Sequence, residues 1–213
     1  MSDLFPRAVR ATFGRLVPLA FRTRIVGAER IPVDGALLAG NHVSYLDPVL
    51  LWCMSPRPVH FMAKSELFGK GFIGWLLPRL WAFPVNRGEP DRTAIVTASE
   101  LLRSGELVGV FPEGSRRGAE TDAAVGAAHG GAAFIALRAG VPIVPIAFVG
   151  TDRAMPRGAS LPRLVRVTIH VGEPIDLARI APDAGRKERV AAVTQRMMEE
   201  IGALLRSAVG GTR

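Results

Sequence analysis

The sequence predicts an α/β fold, a central mixed sheet flanked by helices, with an N-terminal amphipathic membrane-surface helix. Short apolar runs alternate along the chain with stretches of helical periodicity, the first two dozen residues repeat apolar side chains at helical spacing, and the C-terminal quarter ends in one long amphipathic stretch. With 213 residues, nearly half of them apolar, the chain buries the core of one sizeable domain and has no length left for an obvious second. The expected organisation is a single unit over 1–213, an interfacial helical element at 1–22 and an α/β core at 23–213.

The opening segment MSDLFPRAVRATFGRLVPLAFRTR places Phe5, Val9, Phe13, Leu16 and Ala20 on one helical stripe, with Arg7, Arg10 and Arg15 off it. That is the pattern of an interfacial helix with a basic polar face. The competing reading is a surface helix docked on its own core, and Pro18 must kink or end the helix in either case. The basic excess of the chain favours the membrane.

Strands are expected at RIVGA, GALLAG, VHFMA, AFPV, LVGVF, VPIVPIAFV and LVRVTIHV. Helices are expected from Pro48 to Met54, near Gly71 to Leu80, from Asp91 to Ser104, from Gly131 to Ala139 and from Lys187 to Val209, where Val190, Val193, Met197, Ile201 and Leu204 share a face. The polar, glycine-rich stretch from Gly114 to Gly131 is the longest irregular segment, and long loops in compact domains usually carry function.

Lys and Arg number 27 against 19 Asp and Glu, a formal charge of +8. This excess favours an anionic partner: nucleic acid, an anionic membrane or a phosphorylated substrate. Nucleic acid is disfavoured, because the basic residues are dispersed, there is one Tyr, and no zinc or helix-turn-helix spacing occurs. The single cysteine, Cys53 in LLWCM, excludes an internal disulfide and points to a reducing compartment. No segment has the ~20 apolar residues that span a bilayer and no signal-peptide core is present, so the expected location is peripheral, at the cytoplasmic face of the cell membrane.

Three segments carry candidate chemistry. In ALLAGNHVSYLDPVLL, His42 follows a strand and precedes Asp47 by one short loop. A carboxylate at that spacing can hold the imidazole in one tautomer and strengthen it as a base. Asp47 before Pro48 also reads as an ordinary helix cap, with proline at the first helical position. In AFPVNRG a strand ends at Asn86 and Arg87, and in LVGVFPEGSRRG another runs into Glu113, Gly114, Ser115, Arg116 and Arg117. Arginine suits phosphate because its planar fork donates two hydrogen bonds at once, and glycine-turn N–H groups can join the same site. Ser44 is the only nearby nucleophile candidate and lacks a glycine-flanked elbow, so covalent catalysis is not expected. Oxyanion donors are expected from backbone N–H groups near Gly114 or at the start of the helix containing Pro48. The apolar GFIGWLLPRLW reads either as an acyl-chain groove or as a core helix.

In their order NHVSYLD, FPVNRG, FPEGSRRG and VPIVPI, spanning residues 41 to 146, these blocks resemble the glycerolipid acyltransferase family, which includes 1-acylglycerol-3-phosphate acyltransferases (PlsC-like). The resemblance implies His42 as base and Asp47 as its orienter. It implies phosphate or glycerol recognition by Arg87, Glu113, Gly114, Ser115 and Arg116, and a helical N-terminal element lying on the membrane. It implies acyl transfer in phospholipid biosynthesis from acyl-CoA or acyl-ACP, as co-substrate, to a phosphorylated glycerolipid acceptor such as lysophosphatidic acid, with no cofactor or metal. The third block departs from the usual pattern, with Ser115 where Thr is common and Arg117 where Ser is common, and His129 stands near a position often basic in relatives. Glycerol 3-phosphate or another lysolipid as acceptor, thioester hydrolysis and a catalytically inactive membrane-binding module remain as alternatives.

Overall fold

The computed structural model describes residues 4–86, 91–113, 130–156, 158–159 and 161–210. Its elements follow the chain as helix α1 (Leu4–Ala20), strands β1 (Arg24–Val26) and β2 (Ala36–Gly40), α2 (Leu46–Met54), β3 (Val59–Lys64), α3 (Gly71–Leu76) and β4 (Ala82–Val85). They continue as α4 (Arg92–Arg103), β5 (Leu107–Val110), α5 (Gly131–Ala139), β6 (Ile143–Val149), α6 (Thr151–Ala154), β7 (Thr168–Val171) and α7 (Arg186–Gly210). Every expected strand is present. The last is shorter than its apolar run, because Leu164–Val167 lies outside the ladder. The expected Gly71–Leu80 helix is α3 followed by a 3-10 turn at Leu77–Leu80, whose second residue is a proline.

The strands form one sheet in the order β1-β7-β6-β2-β5-β3-β4, parallel throughout except for the antiparallel β6–β7 pair. Side chains alternate across it. Ala36 and Leu38 of β2 point into one apolar cluster and Leu37 and Ala39 into another. The first cluster lies under α1 and α2, with Leu80, Trp81 and Val165 at its margins; the second lies under α4, α5 and α7. Burial on both faces explains why the central strands read as continuous apolar runs.

Proline within the inner strand β6 needs a reason, because it removes a ladder donor. Ile146 pairs with Val171, but Ile143 pairs with Ile175, so the register slips by one residue between them. Pro145 sits at that bulge, where its carbonyl accepts from the Gly172 N–H at 2.8 Å.

The N-terminal stripe is rotated from its expected setting. Val9 and Val17 pack against the core, while Phe13, Leu16 and Leu19 are exposed. Arg10, expected on the polar face, turns inward: its Nε donates to the Trp52 carbonyl at 3.1 Å and its Nη2 to that of Ser55, closing the last turn of α2. Burial lowers the Arg10 pKa, opposed by the neighbouring Cys53. Pro18 lies in the last turn, which ends two residues later. Among the described residues no helix is long and apolar enough to cross a membrane.

Candidate active site

Because β2, β5, β3 and β4 are parallel, their carboxyl ends share one edge of the sheet, where ligands gather in open α/β folds. His42 lies just beyond β2 and Glu113 just beyond the adjacent β5, both buried. Asn86, just beyond β4, is the last described residue before Arg87. Arg87, Gly114, Ser115, Arg116, Arg117 and His129 lie outside the described residues, as does most of the Gly114–Gly131 stretch.

Nδ1 of His42 lies 2.9 Å from Oδ2 of Asp47, and the same oxygen accepts the backbone N–H groups of Val43 at 2.9 Å and Ser44 at 2.8 Å. Asp47 is fully buried. Three donors converge on one carboxylate oxygen, so its position is fixed by the loop backbone as well as by the histidine. With Nδ1–H donated to the carboxylate, Nε2 keeps its lone pair and is the nitrogen able to take a proton.

This arrangement corrects the expected helix cap. The helix starts at Leu46, with Tyr45 at the cap position and no capping side chain, and Asp47 sits in its first turn reaching back to the preceding loop. The reason is local: Ser44 already serves the helix start, its hydroxyl accepting from Leu46 N at 3.3 Å and its carbonyl from Asp47 N at 3.3 Å. Those two N–H groups are therefore committed, and Pro48 has none, which leaves little of this terminus for an oxyanion. The Ser44 hydroxyl also donates to the Met155 carbonyl at 3.1 Å, inside a fully buried side chain. Ser44 is a turn residue here, its hydroxyl committed to the Leu46 N–H and the Met155 carbonyl.

Sequence reasoning missed three supports of this site. The Phe111 ring stacks on the His42 imidazole at 4.2 Å and 23°, and it lies between Phe61 at 6.3 Å and Phe148 at 6.1 Å. Two glycines make room for this aromatic layer. A Cβ on Gly109 would stand 2.4 Å from the Phe61 ring, and one on Gly40 would stand 2.8 Å from Phe148. Asn41 bridges the end of β2 to β6, accepting from Phe148 N at 2.8 Å and donating to its carbonyl at 3.2 Å. Asp91 accepts from Asn86 N at 2.9 Å and from Ala94 N at 3.0 Å, which ties the end of β4 to the start of α4. Those backbone hydrogen bonds hold its carboxyl below the usual carboxylate range. Asp91 was legible as a good cap before a helical pattern; Asn41 and Phe111 open the blocks NHVSYLD and FPEGSRRG, but nothing in those blocks showed the clasp or the stack they make.

Cys53 is buried, and burial pushes its thiol up to about 11, with Arg10 acting in the opposite direction. Its thiolate is scarce at neutral pH, so it is inert apolar filling. GFIGWLLPRLW is not a core helix: Leu80 and Trp81 pack inward, but Phe72, Ile73 and Trp75 face solvent. Among the described residues no group of three His, Cys, Asp or Glu side chains could hold a metal ion.

The acyltransferase family model matches residues 22–149, which include both His42 and Asp47. The chain is similar to the 1-acyl-sn-glycerol-3-phosphate acyltransferase of Bacillus subtilis (strain 168), with 33% identity over 84% of this chain and 85% of that protein. It is also similar to the chloroplastic 1-acyl-sn-glycerol-3-phosphate acyltransferase BAT2 of Brassica napus, 32% identical over 65% of this chain, and it spans only 40% of that longer protein. Its fold resembles the crystal structure of the 1-acyl-sn-glycerophosphate (LPA) acyltransferase PlsC from Thermotoga maritima, with a TM-score of 0.73 at 24% identity over 93% of this chain and 79% of that one. On the family match over more than half its length and the relatives that share it, the chain belongs to the acyltransferase family.

Proposed function

We propose that this protein transfers a fatty acyl group from the thioester of acyl-CoA or acyl-ACP to the free hydroxyl of a lysophosphatidic acid-like acceptor, forming phosphatidic acid at the cytoplasmic face of the membrane. The observation that carries this reading is the buried His42–Asp47 pair at 2.9 Å, its carboxylate anchored by two backbone N–H groups. The acceptor class follows the relatives, which are 1-acyl-sn-glycerol-3-phosphate acyltransferases in a bacillus, a streptococcus and plants.

In this mechanism Nε2 of His42 removes the acceptor's hydroxyl proton as the oxygen attacks the thioester carbonyl. The tetrahedral intermediate collapses with cleavage of the carbon–sulfur bond, and the proton leaves with the thiolate as free thiol. Asp47 holds Nδ1–H toward itself and offsets the charge of the imidazolium that forms in between. General-base assistance of this kind contributes ~10² to 10⁴-fold. Arg87, Glu113, Gly114, Ser115 and Arg116 are assigned to the phosphate and glycerol of the acceptor, on their motif and on the fit of arginine forks and glycine-turn N–H groups to phosphate. Residues 1–22 serve as the interfacial element and 23–213 as the catalytic core.

Purified full-length protein mixed with palmitoyl-CoA and each of 1-acylglycerol 3-phosphate, glycerol 3-phosphate and a neutral lysolipid tests this. Thiol release matched by phosphatidic acid formation, with the first acceptor strongly preferred, is expected. Thiol release without lipid product would make the protein a thioesterase and overturn the reading, and no turnover at all would favour a binding module.

A further inference from the structure

The apolar surface of this protein is one-sided. Among the described residues, every exposed large apolar side chain except Val33 and Val96 belongs to the layer that carries α1 and α2, or to the segments flanking it. Helix α1 contributes Phe13, Leu16 and Leu19, the last of them 75% exposed. The segment after β3 contributes Phe72, 71% exposed, together with Ile73 and Trp75. The loop between α6 and β7 contributes Leu161 at 79% and Leu164 at 70%, and the next residue, Val165, packs against the cluster under α1 and α2. On the opposite face, under α4, α5 and α7, Val96 is the only exposed large apolar side chain among the described residues.

Charge says what covers this face. Residues 4–22, 71–81 and 155–166 contain not one Asp or Glu, and apart from the inward-turned Arg10 their described arginines are Arg7, Arg15, Arg22, Arg79, Arg163 and Arg166. Arg79 stacks its guanidinium 4.1 Å over the Trp75 ring, and Phe72 stacks on the same ring at 5.7 Å. An aromatic ridge bordered by arginine matches the headgroup level of a bilayer, where aromatic rings anchor and cations meet lipid phosphate. A second copy of the chain would set these arginines against their own kind, whereas anionic lipid neutralises them.

We infer that α1 is not the only membrane contact: its exposed flank, the Phe72–Trp75 ridge and the Leu161–Leu164 loop seat together on an anionic bilayer as one three-point face. This rests on the proposed lipid acyltransferase reading and extends its interfacial element beyond residues 1–22. The seat also bears on the site, because the Ser44 hydroxyl bonds the carbonyl of Met155, where the loop that carries Leu161 begins. Anchoring that loop steadies the turn that presents His42.

The test is partition of the full chain into phosphatidylcholine–phosphatidylglycerol vesicles, comparing Phe13→Ser/Leu16→Ser, Phe72→Ser/Trp75→Ser, Leu161→Ser/Leu164→Ser and the off-face control Val33→Ser/Val96→Ser. All of these positions are solvent-exposed, so melting temperatures should stay near wild type. Each on-face pair should lower the partition coefficient about tenfold or more, with the control unchanged. Brominated lipid should quench wild-type fluorescence strongly and Trp75→Phe only weakly. If only the α1 pair weakens binding, the three-point face is wrong while α1 as membrane helix stands. Self-association through these residues without lipid would likewise overturn it. If wild type fails to bind any vesicle, the face is wrong, and the acyl-transfer assay with dispersed substrates then decides the catalytic reading separately.

Discussion

Replacing Asp47 by Asn separates charge from geometry at the site. The two backbone N–H groups of Val43 and Ser44 both point at the oxygen that meets His42, so the carboxamide introduced by Asp47→Asn must place its oxygen there; the opposite orientation would set amide hydrogens against two donors. His42 therefore keeps Nδ1–H donated and Nε2 free, and the tautomer survives. What is lost is the negative charge. A hydrogen bond to a charged group is worth about 1.5 to 3 kcal/mol against about 0.5 to 1.5 for a neutral one. The difference of about 1 to 1.5 kcal/mol is felt when the imidazolium forms and corresponds to about a tenfold fall in rate. Stability falls too, for a reason the cap reading hid. Oδ1 of Asp47 is buried with no partner among the described residues, so an amide nitrogen there costs about 1 to 3 kcal/mol, or several degrees of melting temperature at about 2 to 4 °C per kcal/mol. Thiol release from palmitoyl-CoA, followed well below the melting temperature with saturating acceptor, should show a folded variant with kcat reduced about five- to tenfold. His42→Ala should lose at least ~10²-fold. A folded Asp47→Asn protein with wild-type kcat would refute the pairing as catalytic and leave Asp47 a fastener of the loop.

The Phe111→Leu variant removes the ring stacked on His42; aromatic pairs are worth about 0.5 to 1.5 kcal/mol, so kcat should fall several-fold with acceptor KM unchanged, and an unaltered kcat would show that the stack does not orient the base. Arg87→Ala and Arg116→Ala should chiefly raise the acceptor KM, by the about 1.5 to 3 kcal/mol of a charged hydrogen bond to phosphate, and steady-state kinetics with both substrates varied would expose the error if only thioester binding suffers. Burial of His170, with Arg24 nearby, lowers its pKa from the ordinary 6.5; the unfolded chain therefore takes up the proton first as pH falls, and the stability His170 contributes is present above about 6.5 and lost below it. Melting temperature should fall between about pH 7 and 5.5, and His170→Gln should flatten that fall.

The pairing of His42 with Asp47 was legible because it is local. His42 and Asp47 are joined by one short loop, and Ser44 and the proline after Asp47 mark the turn that folds the carboxylate back. The central strands β2 and β5 were legible for a related reason: parallel strands buried on both faces read as continuous apolar runs. The cap reading of Asp47 failed because its carboxylate turns back to the loop N–H groups of Val43 and Ser44 while Ser44 serves the helix start, and only the folded loop shows that the helix begins before Asp47.

The sequence by itself determined the α/β class, the succession of elements and the pairing of a histidine with a carboxylate, since period, turn chemistry and short spacing all act within a few residues. The tertiary structure alone decided the strand order, the seating of Phe111 on His42, the clasp from Asn41 to a strand 107 residues away, and the rotation that buries Arg10 while exposing Phe13 and Leu16. These depend on which surfaces meet, and a helix with apolar residues on more than one flank does not announce which of them the core will take; here the carbonyls at the end of α2 drew Arg10 inward and turned the remaining apolar residues out.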